Sequence, residues 1–131
     1  MDEWLELLNE KAINVLSGHA EAAQSYSELH MSFCMIHPFA DGNGRLARLL
    51  ANVPILKSGF PPITIAKEHR QRYLELMFAY TWLEGKGLKP NEPLVKKGQS
   101  FEAFTLFVKD EWQATLEIVQ KAKLEQKKRN G

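Results

Sequence analysis

The sequence has one cysteine, no long apolar run and almost no excess of either charge. Cys34 alone excludes an internal disulfide framework and favours a reducing compartment. No stretch reaches the roughly 18 apolar residues of a membrane span, and the acidic start MDEWLELLNE lacks the basic region of a signal peptide. We therefore expect a cytoplasmic location. An exported effector is the alternative, because dedicated secretion systems do not need such a signal.

The charge balance also limits the partners. Lys and Arg together number 17 and Asp and Glu 16, a formal net charge of +1. A balance this even argues against a protein that coats DNA or an anionic membrane, so we expect neither partner. The basic tail over 121–131 is interpreted as a frayed, solvated helix end rather than a nucleic-acid contact.

The length and the periodicity predict one all-α domain. The 131 residues suffice for a single core, so the domain is predicted over 1–131, with a fragment of a longer protein as an alternative to a complete chain. Apolar residues recur every three to four positions, which predicts a compact bundle of about five to seven helices. The helices are predicted over 3–16, 19–36, 44–59, 68–83 and 100–123, with a short extended run at 63–65 and an exposed connection at 85–99. Outside the third helix, each helix has one apolar face that is predicted to be buried, and these faces consist of Trp4, Leu5, Leu8, Ala12, Val15 and Leu16; of Ala22, Tyr26, Leu29, Phe33 and Ile36; of Tyr73, Leu76, Met77 and Tyr80; and of Phe101, Phe104, Phe107, Val108 and Trp112.

The third of these helices contains two interruptions. Pro54 lacks a backbone donor, so we expect it to kink the helix or to shift its end. Gly59 is well placed as the C-terminal stop. The residues predicted to be buried on this helix are Leu46, Leu49, Leu50, Val53 and Leu56.

One stretch, HPFADGNGRLAR over 37–48, is chemically denser than the rest. The run Gly42-Asn43-Gly44 allows several backbone N–H groups to turn inward, and the following helix adds free N–H groups and its positive dipole end. Such a loop suits an anion, and phosphate above all. Arg45 and Arg48 lie three residues apart on that helix, where cations in a first turn oppose the dipole. Two such exceptions indicate that something negative binds there.

The side chains of this stretch fit phosphate chemistry. Guanidinium groups grip phosphate oxygens in a bidentate fashion that lysine cannot match. Asp41 offers a hard oxygen ligand for Mg²⁺, and His37 can accept a proton near neutral pH. Together they make a phosphate cradle, a metal ligand and a base. Each could instead be a surface charge, a turn residue or a helix cap, but all of these ordinary roles must hold at once to dismiss the site.

The stretch matches every specified position of the pattern H-x-F-x-(D/E)-G-N-G-R-x-x-R, and the chain therefore resembles the Fic domain family of the Fic/Doc superfamily. The resemblance extends over about 3–120. It includes the helix before the motif, the GFPP turn after it and the pattern Arg70-x-x-Tyr73.

The resemblance implies a nucleotidyltransferase of the protein adenylyltransferase (AMPylation) class. Such an enzyme moves AMP from Mg²⁺-bound ATP to a Ser, Thr or Tyr hydroxyl of a target protein. By this resemblance, His37 is the base that deprotonates the target hydroxyl. Asp41 holds the Mg²⁺, and Phe39 anchors the motif in the core.

The resemblance also assigns the ATP-binding residues. Asn43, with the backbone of Gly42 and Gly44, lines the anion hole for the phosphates. Arg45 and Arg48 grip the β- and γ-phosphates, which leave as pyrophosphate.

Two parts of the family pattern are missing from the sequence. Family members carry a β-hairpin flap upstream of the first helix, and we expect this flap to be absent from this chain. Many also carry an inhibitory helix with the pattern S/T-x-x-x-E-G/N. Here Ser17 and Glu21 are followed by Ala22, so no intact copy is present. We expect inhibition, where it occurs, to come from a partner or from a removed segment.

Two other functions remain open. Doc-like phosphotransferases share the fold and transfer the γ-phosphoryl group, but have lysine at the position of Gly44, so the glycine favours AMP transfer. A Fic core without its flap could also bind a nucleotide or a partner without catalysis. His30, Cys34 and His37 have a spacing that could present three ligands to zinc. The favoured interpretation makes Cys34 a small buried hydrophobe and His30 a buried histidine.

Overall fold

The chain is α-helical in a computed structural model that describes residues 2–36, 43–81 and 97–130. No strand occurs within these ranges, and the all-α prediction is confirmed. The run at 63–65 is irregular there. The elements are α1 (Asp2–Ile13), α2 (His19–Ile36), α3 (Asn43–Ala51), α4 (Val53–Lys57), a 3-10 helix (Lys67–His69), α5 (Arg70–Tyr80) and α6 (Gln99–Asn130).

Helix α2 is the centre of the bundle. It contacts α1, α3, α4 and α6, and every residue from 25 to 34 is buried. A helix enclosed on all sides must satisfy its polar groups locally. Ser27 Oγ donates to the carbonyl of Ala23 at 2.9 Å, and Ser32 Oγ donates to that of Glu28 at 2.6 Å. Small and serine residues therefore fill a helix for which the sequence predicted a single buried face.

A buried carboxylate joins this central helix to two other elements. Glu28 is 5% exposed and pairs with the ammonium groups of Lys11 on α1 and Lys97 just before α6. Burial alone would raise the pKa of Glu28, but the two lysines outweigh it, and the pKa is lowered. The carboxylate is therefore ionised and links three segments of the chain.

The third predicted helix is split at Asn52. α3 ends at Ala51, and α4 begins at Val53 with Pro54 in its first two positions. Proline is favoured there because the missing N–H would have no intrahelical partner. The expected effect of Pro54 is confirmed. Gly59 follows α4 with φ 86°, a backbone conformation that favours glycine, and it ends this helical segment as predicted.

The buried face predicted for this segment is wrong at three leucines. Leu46, Leu49 and Leu56 are 42%, 67% and 54% exposed, whereas Ala47 and Ala51 are fully buried. α3 packs closely on α2, and alanine at the contact lets the two backbones approach. The small residues therefore face the core, and the larger side chains are displaced toward solvent.

Asn52 connects the break between α3 and α4 to Ile63 in the irregular segment that follows α4. Its Nδ2 donates to the carbonyls of Ile63 at 2.9 Å and of Arg48 at 3.3 Å. Its Oδ1 accepts from the N–H of Ile63 at 2.8 Å. This side chain thus fixes the end of the helix that carries the motif arginines.

Replacing Asn52 by alanine is expected to lower the free energy of unfolding by about 2 kcal/mol, because three hydrogen bonds of about 0.5–1.5 kcal/mol each are lost. Denaturant unfolding of the variant measures the change. Asn14→Ala is the matched control, since the exposed Asn14 side chain donates only to the carbonyl of Glu10. We expect it to stay within about 0.5 kcal/mol of the wild type. Equal losses in the two variants would contradict the role of Asn52.

The first helix is shorter than predicted. It ends at Ile13, so Val15 lies beyond it and is 74% exposed. Leu16 is buried as predicted but from a loop, where its N–H donates to Ser58 Oγ at 2.9 Å. Trp4 is also buried as predicted, and its Nε1 donates to the carbonyl of Leu29 at 3.1 Å. The prediction is wrong at Leu5, which is 46% exposed.

The last helix is longer than predicted. The pattern placed its end near Lys123, but α6 continues to Asn130 through the basic tail, with exposed residues from 121 to 129. Residues 99–130 contain no glycine or proline, and the tail is rich in the helix formers Lys, Gln, Glu and Leu. Of the residues predicted to face inward, Phe107 is half-buried and the others are buried, namely Phe101, Phe104, Val108 and Trp112.

The remaining predictions concern α5 and the connection before α6. α5 begins at Arg70, two residues later than predicted, after the 3-10 turn. Most of the connection predicted at 85–99 lies outside the described residues, and Gln99 already belongs to α6. Within the described ranges, no helix has the length and apolar character needed to cross a bilayer. The predicted inward residues Tyr73, Leu76, Met77 and Tyr80 of α5 are buried.

Candidate active site

The motif lies where α2 ends and α3 begins. α2 ends at Ile36 and α3 begins at Asn43. The residues assigned as base, anchor, metal ligand and first loop glycine lie outside the described residues, as does the side chain of Asn43. Their roles stay predictions. These residues are His37, Phe39, Asp41 and Gly42.

The described end of the motif is part of a fixed helix. α3 packs on α2, and Ala47 is completely buried. Gly44 is half-buried, Arg45 is exposed in the first turn, and Arg48 is half-buried one turn later. The structure therefore places both predicted phosphate-binding arginines on one helix beside the junction.

Only one of the two arginines lies in a first turn, where the helix dipole disfavours a cation. Because α3 ends at Ala51, Arg48 belongs to its last turn, where a cation is favourable. Arg45 alone lies in the first turn, so the prediction of a bound anion from the helix dipole depends on this residue. At Arg48 the helix dipole gives no indication of a bound anion, and the side-chain contacts of this residue must be considered instead.

Arg48 contacts a tyrosine of α5. Its Nη1 donates to the hydroxyl of Tyr73 at 3.0 Å, and its Cζ lies 5.2 Å from the centre of the Tyr73 ring. The second distance is typical of a cation–π contact. No carboxylate in the described part of the chain pairs with Arg48. Its charge is therefore held in place by a neutral side chain.

The hydroxyl of Tyr73 also contacts a buried histidine. Tyr73 Oη lies 2.6 Å from Nε2 of His30, and Nδ1 of His30 lies 3.9 Å from Sγ of Cys34. Because Arg48 can only donate, Tyr73 accepts from it, and the O–H of Tyr73 is then free to donate to Nε2. This donation requires the neutral tautomer of His30 that carries its proton on Nδ1. The hydrogen bonds run from Arg48 through Tyr73 to His30.

Burial keeps the side chains of Tyr73, His30 and Cys34 uncharged. Burial lowers the pKa of His30 to about 3, and the charge of Arg48 acts in the same direction. Burial raises the pKa of Tyr73 to about 12 and that of Cys34 to about 12. All three groups are uncharged near pH 7, so Arg48 is the one charged member.

The alternative zinc site finds no support in the described residues. They contain no group of three or more His, Cys, Asp or Glu side chains placed to hold a metal. His30 is fully buried, and Cys34 is 8% exposed, which confirms the prediction that both are buried. His37, the third proposed ligand, lies outside the described residues.

The near-copy of the inhibitory pattern has a local role. The carboxylate of Glu21 accepts a hydrogen bond from the N–H of Ser17 at 3.0 Å and another from its hydroxyl. These bonds lower the pKa of Glu21. A glutamate in the first turn that accepts from the residues before the helix is typical of a capping arrangement. Glu21 thus stabilises the start of α2.

A cavity of about 740 Å³ lies between α5 and α6, away from the described motif residues. Cavities of this size are often binding sites. Here its polar lining includes His69 and Glu111, which pair with each other. None of residues 44–48 lines it, so the described end of the motif lies outside this cavity.

Sequence reasoning missed the contacts that hold Arg48. It predicted that Tyr73 and His30 are buried, and this is confirmed. It did not pair Tyr73 with Arg48, 25 positions away, or with His30, 43 positions away. The pattern Arg70-x-x-Tyr73 was a visible signal, but spacing within one helix does not show what a side chain meets on another.

The part of the chain that contains the motif is similar to known proteins. The model of the Fic/DOC family matches residues 1–55. The chain is similar to protein adenylyltransferase Fic of Aedes aegypti, at 46% identity over 48 residues, which is 37% of this chain and 10% of that protein. It is also similar to protein adenylyltransferase fic-1 of Caenorhabditis briggsae, at 50% identity over 44 residues, which is 34% of this chain and 9% of that protein. No solved structure matches the chain.

These matches cover only part of this chain and a small part of each relative. The chain spans about a tenth of the length of the curated relatives it matches. The family match includes the whole motif over 37–48 and ends at residue 55, so the resemblance over 56–120 stays a prediction. The resemblance to the Fic family is confirmed over residues 1–55, which the model of the Fic/DOC family matches.

Proposed function

We propose that this chain is a protein adenylyltransferase that transfers AMP from Mg²⁺-bound ATP to a Ser, Thr or Tyr hydroxyl of a target protein. One observation carries the proposal. The complete motif lies inside the family match and leads into α3, where Arg48 has no carboxylate partner among the described residues. The names of the relatives, each a protein adenylyltransferase, support the same reaction.

The described residues fit a triphosphate. Arg45 is exposed and Arg48 half-buried, three residues apart on α3, and guanidinium groups suit the oxygens of β- and γ-phosphates. The free N–H groups at the start of α3, with Gly42, Asn43 and Gly44, would line the anion hole. The two cations and a set of backbone donors would stabilise the charge that develops on the departing pyrophosphate.

The residues at 37–41 would complete the chemistry. His37 would take the proton of the target hydroxyl, and the hydroxyl oxygen would form a bond to the α-phosphorus. The bond from that phosphorus to the bridging oxygen of the β-phosphate would break, and pyrophosphate would leave. Asp41 would hold the Mg²⁺, which neutralises phosphate charge when it is bound. Phe39 would anchor the loop.

Labelled ATP tests the proposal. We would incubate the chain with a cell lysate and Mg²⁺, using ATP labelled at the α-phosphate in one sample and at the γ-phosphate in another. Labelling of protein from the α-position only is expected, and it should stop when EDTA removes the metal. A lysate without the added chain measures the background from endogenous enzymes.

Other outcomes favour the alternative functions. Labelling from the γ-position only would contradict AMP transfer and indicate a Doc-like phosphotransferase. When neither label transfers, calorimetric titration with Mg²⁺-bound ATP follows. Binding without transfer would indicate a nucleotide-binding core without catalysis, and no binding would contradict the proposed phosphate site.

A further inference from the structure

The side chain of Arg48 is held by a residue that lies outside the family match. We infer that Tyr73, oriented by His30, is the positioning residue that holds the guanidinium of Arg48 for the outer phosphates of a bound nucleoside triphosphate. This inference rests on the proposed function, because it takes Arg48 as a phosphate ligand.

Two contacts fix the guanidinium. The hydrogen bond from Nη1 to Tyr73 sets its direction, and the position over the ring at 5.2 Å sets its height. A guanidinium has five N–H donors. One is engaged by Tyr73, and no other described group accepts from Arg48. An arginine that is already ordered loses less conformational entropy when it binds a ligand than a free one does.

A tyrosine suits this task better than a carboxylate. A carboxylate would neutralise Arg48 and compete with phosphate for the same donors. The phenol accepts one hydrogen bond and leaves the positive charge uncompensated. Because burial raises the pKa of Tyr73 to about 12, the phenol stays neutral under ordinary conditions.

His30 fixes the direction of the phenol. In the neutral tautomer with the proton on Nδ1, Nε2 of His30 accepts the O–H of Tyr73 at 2.6 Å, so an oxygen lone pair of Tyr73 faces Arg48. The imidazole is fully buried, and its ring centre lies 5.4 Å from that of Tyr73, 5.9 Å from that of Tyr26 and 5.2 Å from that of Phe104. Three aromatic side chains from α2, α5 and α6 therefore surround the group that orients Tyr73.

Replacing Tyr73 by phenylalanine tests the inference through nucleotide binding. Calorimetry on the whole chain would compare Mg²⁺-bound ATP with AMP, which lacks the outer phosphates. The variant is expected to bind ATP roughly ten- to hundredfold more weakly, the range of a hydrogen bond to a charged group, and AMP within about twofold of the wild type. An equal loss for both nucleotides, or no loss of ATP affinity, would overturn the inference.

Tyr26→Phe is the matched control. Tyr26 is also a buried tyrosine beside His30, but its hydroxyl has no hydrogen-bond partner among the described residues. Its removal should change neither affinity by more than about twofold. A loss of ATP affinity in Tyr26→Phe as large as that in Tyr73→Phe would show a general effect of core changes and would overturn the specific role of Tyr73.

A double variant tests whether Tyr73 acts through Arg48. In an Arg48→Ala background, Tyr73→Phe should weaken ATP binding by less than about twofold further, because the group that it positions is gone. A full additional loss would mean that Tyr73 acts independently of Arg48, which contradicts the inference.

NMR of the arginine side chains separates this inference from the proposed function. In ¹⁵N-labelled protein without nucleotide, the Nη hydrogens of Arg48 are expected to be resolved and slow to exchange. In Tyr73→Phe they should average and exchange faster. A freely rotating Arg48 in the wild type would overturn the inference even when Tyr73→Phe does not fold. A wild type that fails to bind ATP contradicts the proposed function alone, and the NMR comparison still decides whether Tyr73 holds Arg48.

Discussion

Replacing His37 by alanine is expected to abolish the transfer of AMP while ATP binding stays within about twofold of the wild type. The imidazole is proposed to take the proton of the target hydroxyl, and general-base catalysis contributes roughly 10²–10⁴-fold to a rate. Alanine cannot accept this proton. The phosphates would still meet Arg45, Arg48 and the start of α3, which alanine at position 37 leaves unchanged.

The measurement pairs α-labelled ATP with calorimetry on the same preparation. His69→Ala is the matched control, because the side chain of His69 is 59% exposed and pairs with Glu111 on α6, away from the motif. This control should keep at least half of the wild-type labelling. Labelling that survives in His37→Ala would show that another group acts as the base. A joint loss of labelling and ATP binding would show that His37 serves the structure of the loop.

Elements with strong local signals could be predicted from the sequence. α2 has the predicted bounds because Ser17-Gly18 interrupts the first helical pattern and Pro38 disfavours helix in the residue before it. Pro54 and Gly59 act as predicted because a missing N–H and a positive φ depend only on the residue itself. The motif was likewise readable, since its residues are contiguous.

Features that depend on packing between distant segments could not be predicted. The exposed Leu46 and Leu49 fit a buried stripe by spacing, but the close contact of α3 with α2 selects the alanines beside them. The contacts of Arg48 with Tyr73, and of Tyr73 with His30, join α3, α5 and α2. No local pattern specifies which side chains meet across three helices.

Lowering the pH from 7.5 to 5 is expected to reduce the free energy of unfolding by about 2 kcal/mol through His30 alone. The native pKa of His30 is about 3, below the value near 6.5 of an unfolded histidine, because burial disfavours the charged imidazole. Between these two values the unfolded chain binds a proton that the native chain does not. The stability contribution is therefore complete above about pH 6.5 and is lost as the pH falls toward 3.

Denaturant unfolding at the two pH values, on the wild type and on His30→Gln, measures this contribution. Glutamine is uncharged at both pH values, so the variant should lose about 2 kcal/mol less stability than the wild type between pH 7.5 and 5. It should also be less stable at pH 7.5, because it replaces the imidazole between Tyr73 and Phe104. His19→Gln is the control, since His19 is exposed and its removal should leave the pH difference within about 0.5 kcal/mol of the wild type.

Direct NMR titration of the His30 imidazole in the wild type gives the same answer without a variant. Its chemical shifts should stay constant down to about pH 4. A midpoint near 6.5 would mean that the buried site accepts a charged imidazole. A protonated Nε2 could then no longer accept the hydroxyl of Tyr73 and would donate to that oxygen instead, so the hydrogen bond between His30 and Tyr73 would reverse while Arg48 still donates to Tyr73. A constant shift is therefore required both for the acid sensitivity of the fold and for the orientation of the phenol that holds Arg48.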